Sequence, residues 1–186
     1  MSGMSEFQEM KILKLFSMLY DTNNDGVIDR RDFDELLKKI SGILEWSAGS
    51  EKYSNAEKTL DTVWKGLLKY ADTDNDAKIT QEEWKKMWND CLVDLEKGKF
   101  PDWQQDYMYL MFDVNDKSGD EFIDETEYTT FLSQFGISDS DCKKAFQVIS
   151  GGENITKERF AGLWKEYLTS KTRDSPGNTL FGPLED

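Results

Sequence analysis

Histidine is absent from all 186 residues. That removes imidazole acid–base chemistry, most transition-metal sites and the usual charge switch near neutral pH. Cysteine is scarce, and neither Cys91 nor Cys142 belongs to a C-x-x-C, so no zinc or redox motif is supported. Two reduced, partly buried thiols in an intracellular protein are expected. No apolar run approaches membrane-spanning length. The opening "MSGMSEFQEMKILKLF" has no signal-peptide core, and Ser rather than Gly follows Met1, which argues against N-myristoylation. Positive charge is in short supply too: 23 Lys and Arg stand against 37 Asp and Glu, a net charge of −14. Nothing here could neutralise a nucleic-acid backbone or settle on an anionic membrane, whereas a cationic partner or metal cations would suit the balance. A soluble, cytoplasmic, monomeric protein is expected. What the chain does have is aromatic residues, 11 Phe, 7 Tyr and 6 Trp, enough for a packed core rather than an acidic disordered coil.

The acids are not scattered. "DTNNDGVIDRRD" (21–32), "DTDNDAKITQEE" (72–83) and "DKSGDEFIDETE" (116–127) align without gaps. Each has an oxygen-bearing side chain at positions 1, 3, 5, 9 and 12: Asp21, Asn23, Asp25, Asp29 and Asp32; Asp72, Asp74, Asp76, Thr80 and Glu83; Asp116, Ser118, Asp120, Asp124 and Glu127. Each has Ile at position 8 (Ile28, Ile79, Ile123) and an aromatic just beyond position 12 (Phe33, Trp84, Tyr128). Together the three segments hold 15 acids and 4 bases, −11 of the total −14. Such crowding repels itself, and hard oxygen donors select calcium or magnesium as the compensating ion.

This is the EF-hand loop pattern. Positions 1, 3 and 5 supply side-chain oxygens, position 7 a backbone carbonyl, here that of Val27, Lys78 or Phe122, position 9 often acts through water, and position 12 closes the shell. Position 8 packs inward while its backbone pairs with the neighbouring loop. The competing explanation is a fully solvated acidic loop, which does not account for a register kept three times. A fourth copy fits "VISGGENITKER" (148–159), framed by Ile155 and Phe160. Val148 replaces the first acid, Gly152 the third ligand and Arg159 the closing carboxylate, so this copy is expected to keep the scaffold and bind no metal.

Helices should flank each loop. Phe7, Met10, Leu13 and Phe16 recur ahead of loop 1, with Ser5 and Gln8 at capping-box spacing, and Pro101 suits the first turn of the helix entering loop 3. Asp29, Thr80, Asp124 and Thr156 double as N-caps of the exiting helices. Those helices carry Phe33/Leu37, Trp84/Trp88, Tyr128/Leu132 and Phe160/Trp164. The pairs are expected in the core; the alternative is an ion-exposed target groove. The expected fold is all-α, a compact four-EF-hand fold of two paired halves with short β-pairing between loops. The halves are 1–97 (hands 1 and 2) and 98–170 (hands 3 and 4), with "EKGKFP" as a short join and "SGILEWSAGSEKYSN" as a connection after the first hand. The tail 171–186 is too rich in Gly and Pro for a helix, and Leu180 and Phe181 either dock it or leave it disordered.

The loops depart from the common pattern in places. Asp32 replaces Glu at position 12 of loop 1, one methylene shorter, which makes site 1 a candidate mixed Ca²⁺/Mg²⁺ site. Ala77 and Glu121 stand where position 6 wants glycine, a strain of about 1–2 kcal/mol each if φ is positive.

Besides its hands, the chain carries "YDTNNDGVID", "KYAD", "EEWKKMW", "YMYLMFDVNDKSGDEFID", "SDC" and "GNTLFG". Over essentially its whole length it resembles the calexcitin and invertebrate sarcoplasmic calcium-binding protein family. That resemblance implies a cytosolic four-hand protein with three Ca²⁺, acting as buffer or sensor. It also implies potassium-channel or ryanodine-receptor targets and an association with GTP. For GTP the residues offer little: "GNTLFG" has G-x-x-x-x-G spacing but continues Pro-Leu. Three classes therefore stand side by side: a calcium buffer or sensor, an enzyme such as a weak GTPase, and an adaptor whose hands have lost their ions. Intact ligand sets in three loops favour the first, with no catalysis expected.

Overall fold

The computed structural model describes residues 3–184; Met1 and Ser2, on which the reading against N-myristoylation rests, and Glu185 and Asp186 lie outside them. Within them the chain is helical, with four two-residue strands. Unit Met1–Leu110 contains α1 (Glu6–Leu15), a π-helical turn (Phe16–Tyr20), β1 (Val27–Ile28), α2 (Arg30–Ile43), α3 (Glu51–Tyr70), β2 (Ile79–Thr80) and α4 (Gln81–Glu96). Helix α5 (Asp102–Asn115) runs on into the second unit, Met111–Asp186. There follow β3 (Phe122–Ile123), α6 (Glu125–Ser133), α7 (Asp139–Ser150), β4 (Ile155–Thr156), α8 (Lys157–Thr169) and a 3₁₀ turn (Pro176–Thr179).

The loops pair as their position-8 isoleucines require. β1 and β2 are antiparallel with Ile28 opposite Ile79, and β3 and β4 with Ile123 opposite Ile155; all four isoleucines are buried. The exiting helices start on the expected caps. Asp29, Thr80 and Asp124 form complete capping boxes with Asp32, Glu83 and Glu127, and the Thr156 hydroxyl accepts from the Arg159 N–H. A loop's last two ligand positions are therefore also the start of a helix. Pro101 stands just before α5, its carbonyl accepting from Gln104 and Gln105. Part of the connection after the first hand is helical as well: α2 continues to Ile43 and α3 begins at Glu51 on the Ser50 cap, leaving 44–50 between them.

All eight aromatic and aliphatic residues of the exiting-helix pairs are buried. In the first unit Trp84 sits among Phe16, Tyr20 and Trp88, its indole N–H donating to the Ile12 carbonyl at 2.8 Å. Gly66 lets Trp103 in: a Cβ there would lie 2.4 Å from the Trp103 Cγ.

Helix α1 corrects the expected face. Phe7, Met10 and Leu13 are half-buried, whereas Gln8, Lys11, Ile12 and Leu15 are buried. A row stepping by three slips about 60° backwards per step on a helix of 100° per residue, so Phe7 and Phe16 begin and end on opposite sides. The buried stripe steps by three and four. It admits Lys11, whose ammonium lies 4.7 Å from the Phe7 ring centre, and burial pulls its pKa down to about 8.

In the second unit the tail docks. Leu180 and Phe181 are buried, Phe181 meets Trp164 and Tyr167 edge-on at 5.1 and 4.9 Å, and the Tyr128 hydroxyl reaches the Thr179 and Leu180 carbonyls, each at 3.0 Å. Gly177 fits so closely under α8 that a Cβ would stand 2.4 Å from that of Glu166. Cys91 is half-buried and Cys142 buried, both as free thiols. No helix among the described residues is long and apolar enough to cross a membrane.

Candidate metal centres in the paired loops

Loop 2 shows the arrangement most openly. Carboxylate oxygens of Asp72, Asp74 and Asp76 all lie within 4.8 Å of one another. Backbone N–H groups steady these carboxylates: Ala77 donates to Asp72 Oδ2 (3.2 Å), Asp76 to Asp74 Oδ1 (3.2 Å) and Lys78 to Asp76 Oδ1 (2.8 Å). The second oxygen of Asp72, Oδ1, is buried and has no hydrogen-bond partner. A buried carboxylate oxygen left unpaired costs free energy unless a cation meets it, so the donor set fits a hard divalent ion. Glu83 closes the loop, Oε1 accepting from the backbone and hydroxyl of Thr73 and Oε2 from those of Thr80, at 2.8–3.0 Å. Burial works to raise its pKa, but these four hydrogen bonds prevail and hold it down at about 2. It stays charged across the physiological range.

Loop 3 repeats the plan. Asp116 Oδ1 accepts from Gly119 (2.7 Å) and Asp120 (3.2 Å), and Oδ2 from Glu121 (3.0 Å). The Ser118 hydroxyl donates to Asp116, Asp120 Oδ1 accepts from Phe122, and Glu127 accepts from the Ser118 and Asp124 amides at 2.8 and 3.1 Å. Ala77 and Glu121 have φ of 60° and 71°, the left-handed backbone that Gly26 adopts at 87° in loop 1. The strain expected at position 6 is present, and the carboxylate of position 1 receives the amide in both cases.

Loop 1 holds the same backbone path with different electrostatics. Asp21 accepts from Asp25 (3.1 Å) and Gly26 (3.0 Å), Asn23 Oδ1 from Asp25 (2.8 Å), and Asp25 Oδ1 from Val27 (3.2 Å). Asp32 is buried and accepts from Asn23 (3.2 Å) and Asp29 (2.8 Å). Burial, helped by the charges of Asp21 and Asp29, lifts its pKa in spite of those bonds. Asp29 goes the other way, because hydrogen bonds from the Arg31 guanidinium hold its carboxyl below the usual range. The position-7 residues lie in β1 (Val27), just before β2 (Lys78) and in β3 (Phe122). The π-helical turn ending at Tyr20 delivers Asp21, its N–H bonding the Phe16 carbonyl five residues back at 2.8 Å. No residue pattern announces that turn.

Loop 4 keeps only the second half of the scaffold, a correction to the expected copy. Helix α7 continues to Ser150, so the first three loop positions are helical, and Val148 points outward, half exposed. Gly151 ends the helix in the left-handed conformation at φ 66°. The Arg159 guanidinium donates to the Ile149 carbonyl at 3.0 Å. A side-chain cation therefore meets the last turn of α7, where the helix dipole is negative.

"GNTLFG" is a plug rather than a phosphate cradle. The Gly177 N–H donates to the Glu166 carboxylate at 2.9 Å, and Leu180 and Phe181 fill the space beside α8. An anion already occupies the amide that a phosphate would need.

The EF-hand domain pair family matches residues 9–89. The chain is 30% identical to sarcoplasmic calcium-binding proteins I, III and IV of Branchiostoma lanceolatum, over 97% of this chain and 98% of that one. It is likewise 30% identical to calexcitin-1 of Caenorhabditis elegans, over 99% and 90%. Its backbone superposes on the solved sarcoplasmic calcium-binding protein of amphioxus with a TM-score of 0.86 at 27% identity, covering 97% and 99% of the two chains.

Proposed function

The chain belongs to the sarcoplasmic calcium-binding protein family, and on that premise we propose that it binds Ca²⁺ at loops 1, 2 and 3 to buffer or to sense it inside the cell. The observation that carries the reading is the convergence of the Asp72, Asp74 and Asp76 carboxylates, together with a buried Asp72 oxygen that has no hydrogen-bond partner. Residues Asp21, Asn23, Asp25, Val27, Asp29 and Asp32 would hold one ion; Asp72, Asp74, Asp76, Lys78, Thr80 and Glu83 a second; Asp116, Ser118, Asp120, Phe122, Asp124 and Glu127 a third, the position-7 residues through their carbonyls. The ion supplies the positive charge that these clusters lack, so binding and ordering of the loops are coupled. The short Asp32 carboxylate makes loop 1 the one to accept Mg²⁺ as well. Calorimetric Ca²⁺ titration in physiological Mg²⁺ tests this: three sites are expected, and a protein that takes up none would overturn the reading.

Within that function the buffer version is favoured. The aromatic faces of the exiting helices are buried, and in the second unit the chain's own tail covers Trp164 and Tyr167. A sensor of the kind that engages a channel or ryanodine receptor must uncover apolar surface on binding. A hydrophobic dye whose fluorescence rises when Ca²⁺ is added would establish the sensor; an unchanged signal is expected.

A further inference from the structure

Loop 1 carries a feature that loops 2 and 3 lack. Position 11 is Arg31 there, but Glu82 and Thr126 in the others. Its guanidinium reaches back across the loop. Nη2 lies 2.6 Å from Asp29 Oδ2 and 3.1 Å from Asp25 Oδ2, and Nε lies 3.1 and 3.0 Å from the two Asp29 oxygens. The Arg31 backbone N–H also donates to Asp29 Oδ1 at 2.7 Å. Both oxygens of the position-9 carboxylate and one of position 5 are thus engaged by a single residue.

That residue sits badly for its helix. Arg31 lies in the first turn of α2, where the dipole favours acids, and the equivalent turns of α4 and α6 carry Glu82 and Glu83, and Glu125 and Glu127. A base placed against the dipole needs another source of stabilisation, and the two aspartates provide it. We propose that Arg31 is a built-in cation of loop 1, competing with the divalent ion for Asp25 and Asp29 and weakening the first site relative to the second. The inference rests on the calcium-binding reading above. In the ion-free chain the guanidinium relieves part of the acid–acid repulsion; in the loaded chain it is a like charge beside the ion. Because Arg31 is largely exposed, its influence is screened by salt.

The test is Arg31→Gln, with Arg31→Lys beside it. The Gly26 amide reports loop 1 alone, since Ala77 and Glu121 stand at that position in loops 2 and 3. Its NMR resonance, followed through a Ca²⁺ titration, reads the first site separately. Arg31→Gln is expected to tighten that site roughly tenfold at low ionic strength, with the gain shrinking as salt rises. Arg31→Lys, which keeps the charge and loses the fork, should fall between. Without any ion, in chelator, Arg31→Gln should lower the melting midpoint by about 1–3 °C. A first-site affinity within twofold of the parent, with no change in the ion-free midpoint, would show an incidental surface pair and overturn the proposal. If the parent protein bound no Ca²⁺, the functional reading would fall instead, while the ion-free melting shift would still report whether Arg31 holds the loop.

Discussion

Loops 3 and 4 lie on one ladder, paired in register through Ile123 and Ile155, and are built on opposite principles. Loop 3 gathers Asp116, Asp120, Asp124 and Glu127, and its helix α5 stops at Asn115 to leave the first position free for a ligand. Loop 4 lets α7 run on to Ser150 and offers Arg159 where the last carboxylate stands in its neighbour. Hand 4 then gains the tail, packed on α8 through Phe181. The comparison points to two ways of closing an EF-hand: by oxygens arranged as an ion would need them, or by a guanidinium and a length of apolar chain that are always present.

The sharpest way to break the contrast is to remove what hand 4 has in place of an ion. Phe181→Ala leaves Trp164 and Tyr167 facing a cavity, and a buried Phe lost from a core costs about 3 kcal/mol or more. Thermal melting should show the loss in chelator and in Ca²⁺ alike, because no ion can replace the plug. Dye binding should rise in the same variant. A midpoint within 1–2 °C of the parent, on a scale where each kcal/mol is worth roughly 2–4 °C, would mean the tail is not part of hand 4's stability.

Glu127→Gln attacks the other side. The position-12 carboxylate accepts from the Ser118 and Asp124 amides, and on the proposed calcium-binding reading it is the closing ligand of loop 3. Altering residues that merely support a metal ligand costs 10–100-fold in affinity, so losing the ligand's own charge should cost about 100-fold or more at this site. Calorimetry should count one ion fewer. A glutamine oxygen can still accept in the α6 capping box, and the lost charge relieves repulsion among Asp116, Asp120 and Asp124, so ion-free stability should change little.

How much of this contrast could be read in advance depends on which part of hand 4 is asked about. The strand pairing, the caps and the buried exit-helix aromatics were legible, because Ile at position 8, Ser, Thr or Asp at position 9 and an aromatic after position 12 each answer a local requirement. Positive φ at Ala77 and Glu121 was legible for the same reason: the turn imposes it whichever residue is present. The overrun of α7 was not. Val148, Ile149 and Ser150 can stand in a loop or a helix, and only the absence of a ligand to hold them out of the helix decides it. The buried stripe of α1 was missed because the apolar residues step by three, while the stripe that packs includes Gln8 and Lys11, polar residues that no hydrophobic pattern would select. Arg31 was visible as a letter, but its reach to Asp25 and Asp29 depends on a rotamer, which periodicity does not encode.

A smaller effect is expected from Arg159→Gln. The guanidinium bond to the Ile149 carbonyl is one part-buried hydrogen bond at a helix end, worth about 1 kcal/mol with the dipole included. Amide exchange in the last turn of α7 should accelerate while exchange in α6 stays as it was. Equal acceleration in both helices would mean that hand 4 is not closed locally by this side chain.

The smallest effect of all is predicted for Arg159→Glu on the number of ions bound. The substitution restores a carboxylate at position 12, and a purely sequence-based repair would expect a fourth site. The structure gives two reasons against it. Val148 still provides no oxygen at position 1, and α7 carries the first three positions away on a helix instead of curling them into a loop. A new acid beside the negative end of α7 would also repel the Ile149 carbonyl that Arg159 now satisfies, so stability should fall slightly while stoichiometry stays unchanged. Calorimetry on this variant beside the parent separates the alternatives: an additional bound ion would mean that charge at position 12 alone can unwind the end of α7 and build a loop, and the two ways of closing a hand would then differ by one residue.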